Sequence, residues 1–375
     1  MRKKASWVLG TLALVLLLSA CAPNASQSTL DPAGPTAQSQ KNLLVPVLWI
    51  AAGVFVLVEG GILLIAIKYR RRKGRERMPK QTHGNTRLEI GWTIAPALVL
   101  AIVMVPTVSL IWQLAKAPGP GALNVTVQGY QWWWGFKYTD QDMKVGYGSG
   151  TPITVADVLV VPAGRQIFLS LEAAGGLIGP GDPPDPAKAD YVVIHSFWTP
   201  QLFGKQDVVP GRTNHITFSA DEPGTYWGQC AEFCGLQHGK MKFRIVALDA
   251  AAWDAWVTNQ RAPAAEPADP LAKQGMDLFL NGVSGGGQCI ACHAVGGTNA
   301  TSPAAPNLTH FAAPTHECFA GCDWDTYGPD GAPNLDDLRA WLADPNAVKL
   351  GSKMPNYQLT SDEIDALMAY LFSLK

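Results

Sequence analysis

Two long apolar runs limit what this chain can become. Leu43 to Ile67 is 25 residues long and has Glu59 as its one charged member. Leu88 to Leu114 has Glu89 as its one charged member and contains Pro96 and Pro106. Runs of this length satisfy their backbone in lipid only as helices, and prolines are tolerated there where neighbouring helices take up the freed groups. The carboxylate of Glu59 is costly in lipid, so it faces a protein partner or stays neutral. The loop between the runs, 68–87, holds nine Lys or Arg and one Glu. That excess of positive charge places the loop on the cytoplasmic side and both ends of the hairpin outside.

The N-terminus agrees with that orientation. Residues 1–20 join a basic start, Met1-Arg2-Lys3-Lys4, to an apolar run from Trp7 to Leu18 that is too short for a span. They read as an export signal. Leu18-Ser19-Ala20-Cys21 resembles a lipoprotein processing site, at which Cys21 becomes the acylated first residue; an ordinary signal with an incidental cysteine is the alternative. Residues 21–41, rich in Ser, Gln, Pro and Ala, read as a flexible tether to the hairpin at 42–115. Net charge is −1, so no general attraction to nucleic acid follows.

From 122 to 249 short alternating runs such as Leu123-Val125-Val127 and Ile167-Leu169-Leu171 are separated by Pro-Gly turns. This is the pattern of an all-β sandwich or barrel. The insertion 173–190, full of Gly, Pro and Asp, reads as a surface loop. Within the β region Cys230 to Met241 reads CAEFCGLQHGKM. Two thiolates four residues apart can bridge a pair of soft metal ions, with the imidazole of His238 and the thioether of Met241 capping the ends. Thiolate, imidazole and a weak axial methionine are the ligands of copper electron-transfer sites rather than of calcium or magnesium sites. A structural disulfide is the other reading of C-x3-C, and the His and Met at fixed offsets argue against it. A pair of coppers needs a second imidazole, and His195, in VVIHSFWTP, supplies one.

On these motifs the segment 192–247 resembles the dinuclear copper (CuA) domain of cytochrome c oxidase subunit II. The resemblance implies a cupredoxin domain over 120–250. It makes Cys230 and Cys234 the bridging thiolates, His195 and Met241 the terminal ligands of one copper, and His238 with the Glu232 carbonyl those of the other. The Glu232 side chain matches a residue that also reaches a magnesium ion at the border with subunit I. The family often has Asp or Asn three residues before the first histidine; here it is Val192, which weakens the case for a soluble donor docking there. The run LEIGWTIAP resembles the family too, and Glu89 matches the entrance of a proton pathway into subunit I. By itself, Glu89 is a carboxylate at a helix N-terminus, where the dipole stabilises it. In GYQWWWGFKY, 129–138, side chains alternate across a strand, so one of the three tryptophans points away from its neighbours. Trp132 matches the position at which electrons reach the copper pair in the family.

An Ala/Pro-rich stretch, 251–270, reads as a semi-extended linker. Beyond it Cys289-Ile290-Ala291-Cys292-His293 is the C-x-x-C-H attachment site of a c-type haem, with His293 as proximal iron ligand. Zinc is the minor alternative. The sixth iron ligand is expected from Lys353-Met354-Pro355, which resembles the methionine loop of class I cytochromes c. Met368 competes, but it shares the apolar face of a helix with Ile364, Leu367 and Leu371, behind a capping box from Thr360 to Glu363. The stretch 298–334 is longer than a minimal cytochrome c needs. It carries Cys318 and Cys322, for which a disulfide is the default in an oxidising compartment; a further metal site with His310 or His316 is the alternative.

The expected chain is therefore multidomain: a two-helix transmembrane hairpin, an all-β cupredoxin domain and an all-α cytochrome c domain at 271–375. It resembles subunit II of a caa3-type cytochrome c oxidase. That implies electron flow from haem c to the copper pair and on to subunit I, where oxygen is reduced to water with proton pumping. Subunits I and III would be its partners, and soluble cytochrome c or quinol–cytochrome c reductase its donor. The copper subunit of a nitric oxide reductase and a membrane-anchored carrier without a dedicated oxidase are the alternatives.

Overall fold

The computed structural model describes residues 26–70, 81, 83–144, 150–174 and 192–375. The export signal, Cys21 and most of the insertion 173–190 lie outside them. Helix α1 is Pro35–Lys68 and helix α2 is Thr86–Leu114, each long and apolar enough to cross a membrane. Asn85 caps α2 by accepting from the amides of Arg87 and Leu88.

The first helix begins eight residues before the expected 43. A helix of 34 residues is about 51 Å long, against a hydrocarbon core of about 30 Å. Its first turns are held by the β domain rather than by lipid. The Ala33 amide donates to the Gln201 carbonyl at 2.8 Å, the Asp221 amide donates to the Ala33 carbonyl at 2.9 Å, and the Thr36 hydroxyl donates to the Thr217 carbonyl at 3.1 Å. The tether expected over 21–41 is thus pinned in its second half. Composition pointed to a floppy segment, but these contacts are to distant backbone, which composition does not report.

The β domain is a sandwich of two five-stranded sheets. The strands are β1 Leu123–Tyr130, β2 Trp133–Tyr138, β3 Thr154–Ala156, β4 Val158–Pro162, β5 Ile167–Ala173, β6 His195–Thr199, β7 Phe203–Val208, β8 Asn214–Phe218, β9 Gly224–Cys230 and β10 Lys242–Leu248. Strand order is β3-β2-β1-β5-β8 in one sheet and β4-β10-β9-β6-β7 in the other. Inward residues of both fill the space between: Trp134, Phe136, Phe197 and Phe243 are buried, with Phe197 stacked on Phe243 at 3.9 Å.

The expected linker at 251–270 is shorter than its composition suggested. Residues Ala250–Arg261 form helix α3, capped by Asp249, and bury Trp253 and Trp256 against Tyr138. Two indoles at i, i+3 bury enough apolar surface to hold a short helix that propensity alone would leave frayed. Only 262–269 connects the domains as extended chain.

The last domain contains α4 Pro270–Asn281, the short β11 Cys318–Phe319 and β12 Trp324–Asp325, then α5 Leu335–Ala343, α6 Pro345–Val348 and α7 Ser361–Ser373. The capping box of Thr360 and Glu363 starts α7, which buries Ile364, Leu367, Met368 and Leu371. Helices α4 and α7 cross at Gly275, where a Cβ would lie 1.9 Å from the Ala366 carbonyl oxygen. Backbone cannot yield as a side chain would, so Gly275→Val should force the crossing apart. The expected loss is about 1–3 kcal/mol, read as a lower unfolding midpoint of the cytochrome domain.

Candidate metal centre and haem crevice

The sulfur-rich loop runs from the end of β9 to the start of β10, and β6 lies on the other side of β9. Phe197 of β6 pairs with Cys230 of β9, and Gln229 of β9 pairs with Lys242 of β10. Three neighbouring strands therefore deliver His195, Cys230 and Met241 to one end of the sandwich. His195 and Met241 are fully buried.

Soft donors converge there. The sulfurs of Cys230 and Cys234 are 3.7 Å apart. Nδ1 of His195 is 3.9 Å from the Cys230 sulfur, and Nδ1 of His238 is 3.8 Å from the Cys234 sulfur. The Met241 sulfur lies 3.8 Å from that of Cys234, and the Glu232 carbonyl oxygen lies 3.2 Å from that of Cys230. His195, Cys230 and Cys234 are the one group of three or more His, Cys, Asp or Glu among the described residues whose ligand atoms lie within 4.8 Å of one another. The hydrogen bond between the thiols pulls the Cys230 thiol below its ordinary pKa and pushes that of Cys234 above it. One thiolate thus forms readily, and cations would stabilise the second. Both thiols are free, so the donor set suits soft metal ions.

The Glu232 carboxylate accepts from the neighbouring Phe233 amide at 3.1 Å and sits half-buried. Glu89, far away in the first turn of α2, accepts from the Asn85 amide at 3.2 Å. Among the tryptophans, Trp134 enters the core and Trp133 turns out to stack on Tyr130 at 4.1 Å. Trp132 lies on the metal loop: its indole N–H donates to the Cys234 carbonyl at 3.0 Å, beside the Gln131 amide at 2.8 Å.

In the C-terminal domain Cys289, Cys292, His293 and Met354 line one cavity of about 200 Å³. Its wall is mostly apolar, with Phe311, Leu342 and Leu367. Nδ1 of His293 is 2.8 Å from the Pro306 carbonyl oxygen. A carbonyl only accepts, so Nδ1 carries the proton and Nε2 keeps the lone pair that an iron ligand needs. Burial holds the His293 pKa below its ordinary value, which keeps the ring neutral. Met368 is buried among the helices rather than in the cavity wall. These residues fit a c-type haem: two thiols, one oriented imidazole and one thioether around an apolar slot.

Sequence reasoning did not foresee how the two centres meet. The haem crevice is walled by Trp132 and Trp133 of the β domain as well as by its own residues. The stretch that looked superfluous, 298–334, makes this contact. Its residues Cys318 and Cys322 are joined by a disulfide and pack with the β-domain core. The Lys242 amide at the start of β10 donates to the Gly321 carbonyl at 2.9 Å. Asp157, fully buried, accepts from the amides of Trp134 at 2.9 Å and Gly321 at 2.7 Å. Burial raises its carboxyl to about 6, opposed by those amides and by Lys349. Arg244 is stacked on Trp227 at 4.2 Å, and its guanidinium also meets Glu317 and Asp325. Of the two histidines considered beside these cysteines, His310 has Nδ1 2.9 Å from the Lys375 carbonyl oxygen, and His316 lines the crevice. A turn between two strands, Ala156-Asp157-Val158, offered no sequence signal beyond one carboxylate among apolar neighbours.

The fold and these two sites define a class: a membrane-anchored electron-transfer protein in which a cupredoxin-like domain is joined to a cytochrome c domain. The family described as cytochrome c oxidase subunit II, transmembrane domain, matches residues 23–110. Its periplasmic domain matches 185–248, and cytochrome c matches 272–375. Cytochrome c oxidase subunit 2 of Alkalihalophilus pseudofirmus is 37% identical, covering 100% of this chain and 98% of that one. Its counterpart from Bacillus sp. strain PS3 is 34% identical, covering 96% and 95%. A crystal structure of the periplasmic domain of cytochrome oxidase subunit II of Bradyrhizobium japonicum covers 39% of this chain and 97% of its own, at 24% identity and a TM-score of 0.31. The chain belongs to the cytochrome c oxidase subunit II family, in the form that carries a C-terminal cytochrome c domain.

Asp157→Ala leaves two buried amides without an acceptor, and each such loss costs about 1–3 kcal/mol. The β domain should unfold at a lower denaturant midpoint, with an unchanged slope.

Proposed function

We propose that this chain is the electron-receiving subunit of a haem–copper cytochrome c oxidase. Electrons would pass from a covalent haem c on Cys289 and Cys292 to a dinuclear copper centre, and on to a partner subunit that reduces oxygen to water and pumps protons. The observation that carries the reading is the position of Trp132, at once a wall of the haem crevice and a hydrogen-bond donor to the backbone of Cys234. When bound, the copper pair supplies a one-electron store shared by two ions, and the haem supplies a one-electron carrier.

The chain's own residues explain why those groups would work here. Cys230, Cys234, His195, His238, Met241 and the Glu232 carbonyl are the groups that would hold the coppers, with the two thiolates as the anionic soft donors. Trp134, packed with Phe197 and Phe243, also meets the His195 ring edge-on at 5.7 Å, which would limit rearrangement of that donor on a change of charge. His293 and Met354 would supply the iron ligands of the haem, and a methionine ligand would raise its potential. The Glu232 carboxylate would be this chain's ligand to a magnesium ion shared with the partner. Glu89 stands at the cytoplasmic end of α2 as the entrance of a proton path. The orientation follows from the basic loop: α1 and α2 cross the membrane and both soluble domains lie outside. Haem–copper subunit I and subunit III are the proposed partners, and a soluble cytochrome c or a quinol–cytochrome c reductase is the proposed donor.

Metal analysis of the detergent-purified full chain should give two coppers and one haem per chain, with a paramagnetic signal from one electron shared between two coppers. A lone blue copper, or none, would remove the reading. Met354→Ala should keep its haem covalently attached while the potential falls and the methionine-dependent absorption band is lost.

A further inference from the structure

Lys349 is 3% exposed and sits between the two domains. Its ammonium donates to the carbonyl of Lys240 in the β domain at 2.8 Å and to the carbonyl of Ala320 in the disulfide loop. Lys240 immediately precedes Met241. The charges facing the ammonium are Asp157 and Asp323, with Lys240 and Lys242 opposing them. Directly after Lys349 the chain crosses the metal loop. The Leu350 carbonyl accepts from the Gln237 side chain at 2.7 Å. A Cβ on Gly351 would stand 3.0 Å from the Trp132 ring and 3.6 Å from Leu236. Three residues further on is Met354, in the wall of the haem crevice.

We infer that Lys349 is a positioning residue: it fixes the cytochrome domain on the copper domain, seats Gly351 on Trp132, and so holds the haem crevice in a permanent electron-transfer contact. The inference rests on the copper and haem reading above. Three features separate it from a loose tether. The ammonium binds backbone on both sides, which side-chain repacking cannot replace. The Lys242 amide at the start of β10 donates to the Gly321 carbonyl, so this part of the contact is main chain to main chain. Trp132 is 8% exposed, closed under Gly351, so an outside carrier cannot reach it while the domains are docked. A donor must then deliver its electron to haem c. A hydrophobic contact would bind equally well, but buried charge fixes one register.

The test uses the purified oxidase complex with copper and haem loaded. One electron is placed on haem c by a light pulse, and its transfer to copper is followed optically. In the wild type the rate should not change between about 10 mM and about 1 M salt, over which the screening length falls from about 30 to about 3 Å. Added glycerol should not change it either. Lys349→Met keeps the stem and removes the ammonium. With copper and haem spectra unchanged, its transfer should slow by about tenfold or more, since small misplacements cost rate steeply, and should become viscosity-dependent. A Lys349→Met complex that transfers at the wild-type rate overturns the proposal. If that variant fails to load, the wild type alone decides: a viscosity-dependent rate, or a Gly321 amide that exchanges freely with solvent, overturns it, and a viscosity-independent rate with a protected amide supports it. Absence of the paired-copper signal in the wild type would instead count against the underlying functional reading.

Discussion

The hydrogen bonding of β9 on both edges is the constraint on which both centres depend. β10 holds one edge and β6 the other. Because the ligand loop leaves β9 at Cys230 and returns at Met241, its ends are fixed by sheet register rather than by the loop's own preferences. His195 opens β6, so its place is fixed by the same ladder. A loop held this way presents donors whose spacing barely depends on what they bind. The cytochrome domain touches the same scaffold, since its Gly321 carbonyl accepts from the amide of Lys242, the first residue of β10. Two adjacent strands, β9 and β10, thus carry both the metal loop and a contact to the cytochrome domain.

The interface between the domains is polar where it sets register and apolar elsewhere. Asp157, Lys349 and Arg244 are each removed from water, a costly step that polar partners offset. Asp157 meets two amides, Lys349 two carbonyls, and Arg244 two carboxylates and an indole face. Around them the Cys318–Cys322 loop and Trp132 contribute apolar surface. Apolar surface alone would favour contact over a range of angles. The buried polar pairs are satisfied at one angle only.

What was legible in the sequence was what depends on local spacing, with His195 and Met354 added through a family resemblance. Cys230, Cys234, His238 and Met241 sit within one loop, as do Cys289, Cys292 and His293, so their chemistry could be read from a dozen residues. The hairpin, the β periodicity and the capped helix at Thr360 are local in the same sense. Asp157, Lys349 and Gly321 were not legible, because their partners lie between 23 and 164 residues away. Each is an unremarkable residue type in its own neighbourhood. The Ala/Pro composition of 251–270 misled for a related reason: it reports backbone preference, whereas Trp253 and Trp256 find their partner in Tyr138, over a hundred residues earlier.

These distant contacts change the physical account of the fusion. A flexible linker would deliver haem to copper at an effective concentration around millimolar, and every transfer would wait for an encounter. A domain docked by folding has already lost that orientational freedom, and each electron finds the contact made. The extended connection at 262–269 then matters little for rate once the chain is folded. The same logic fits the long insertion of the cytochrome domain: a carrier that must dissociate keeps its crevice rim clear, whereas one that never leaves can pack a disulfide-closed loop against its neighbour's sheet.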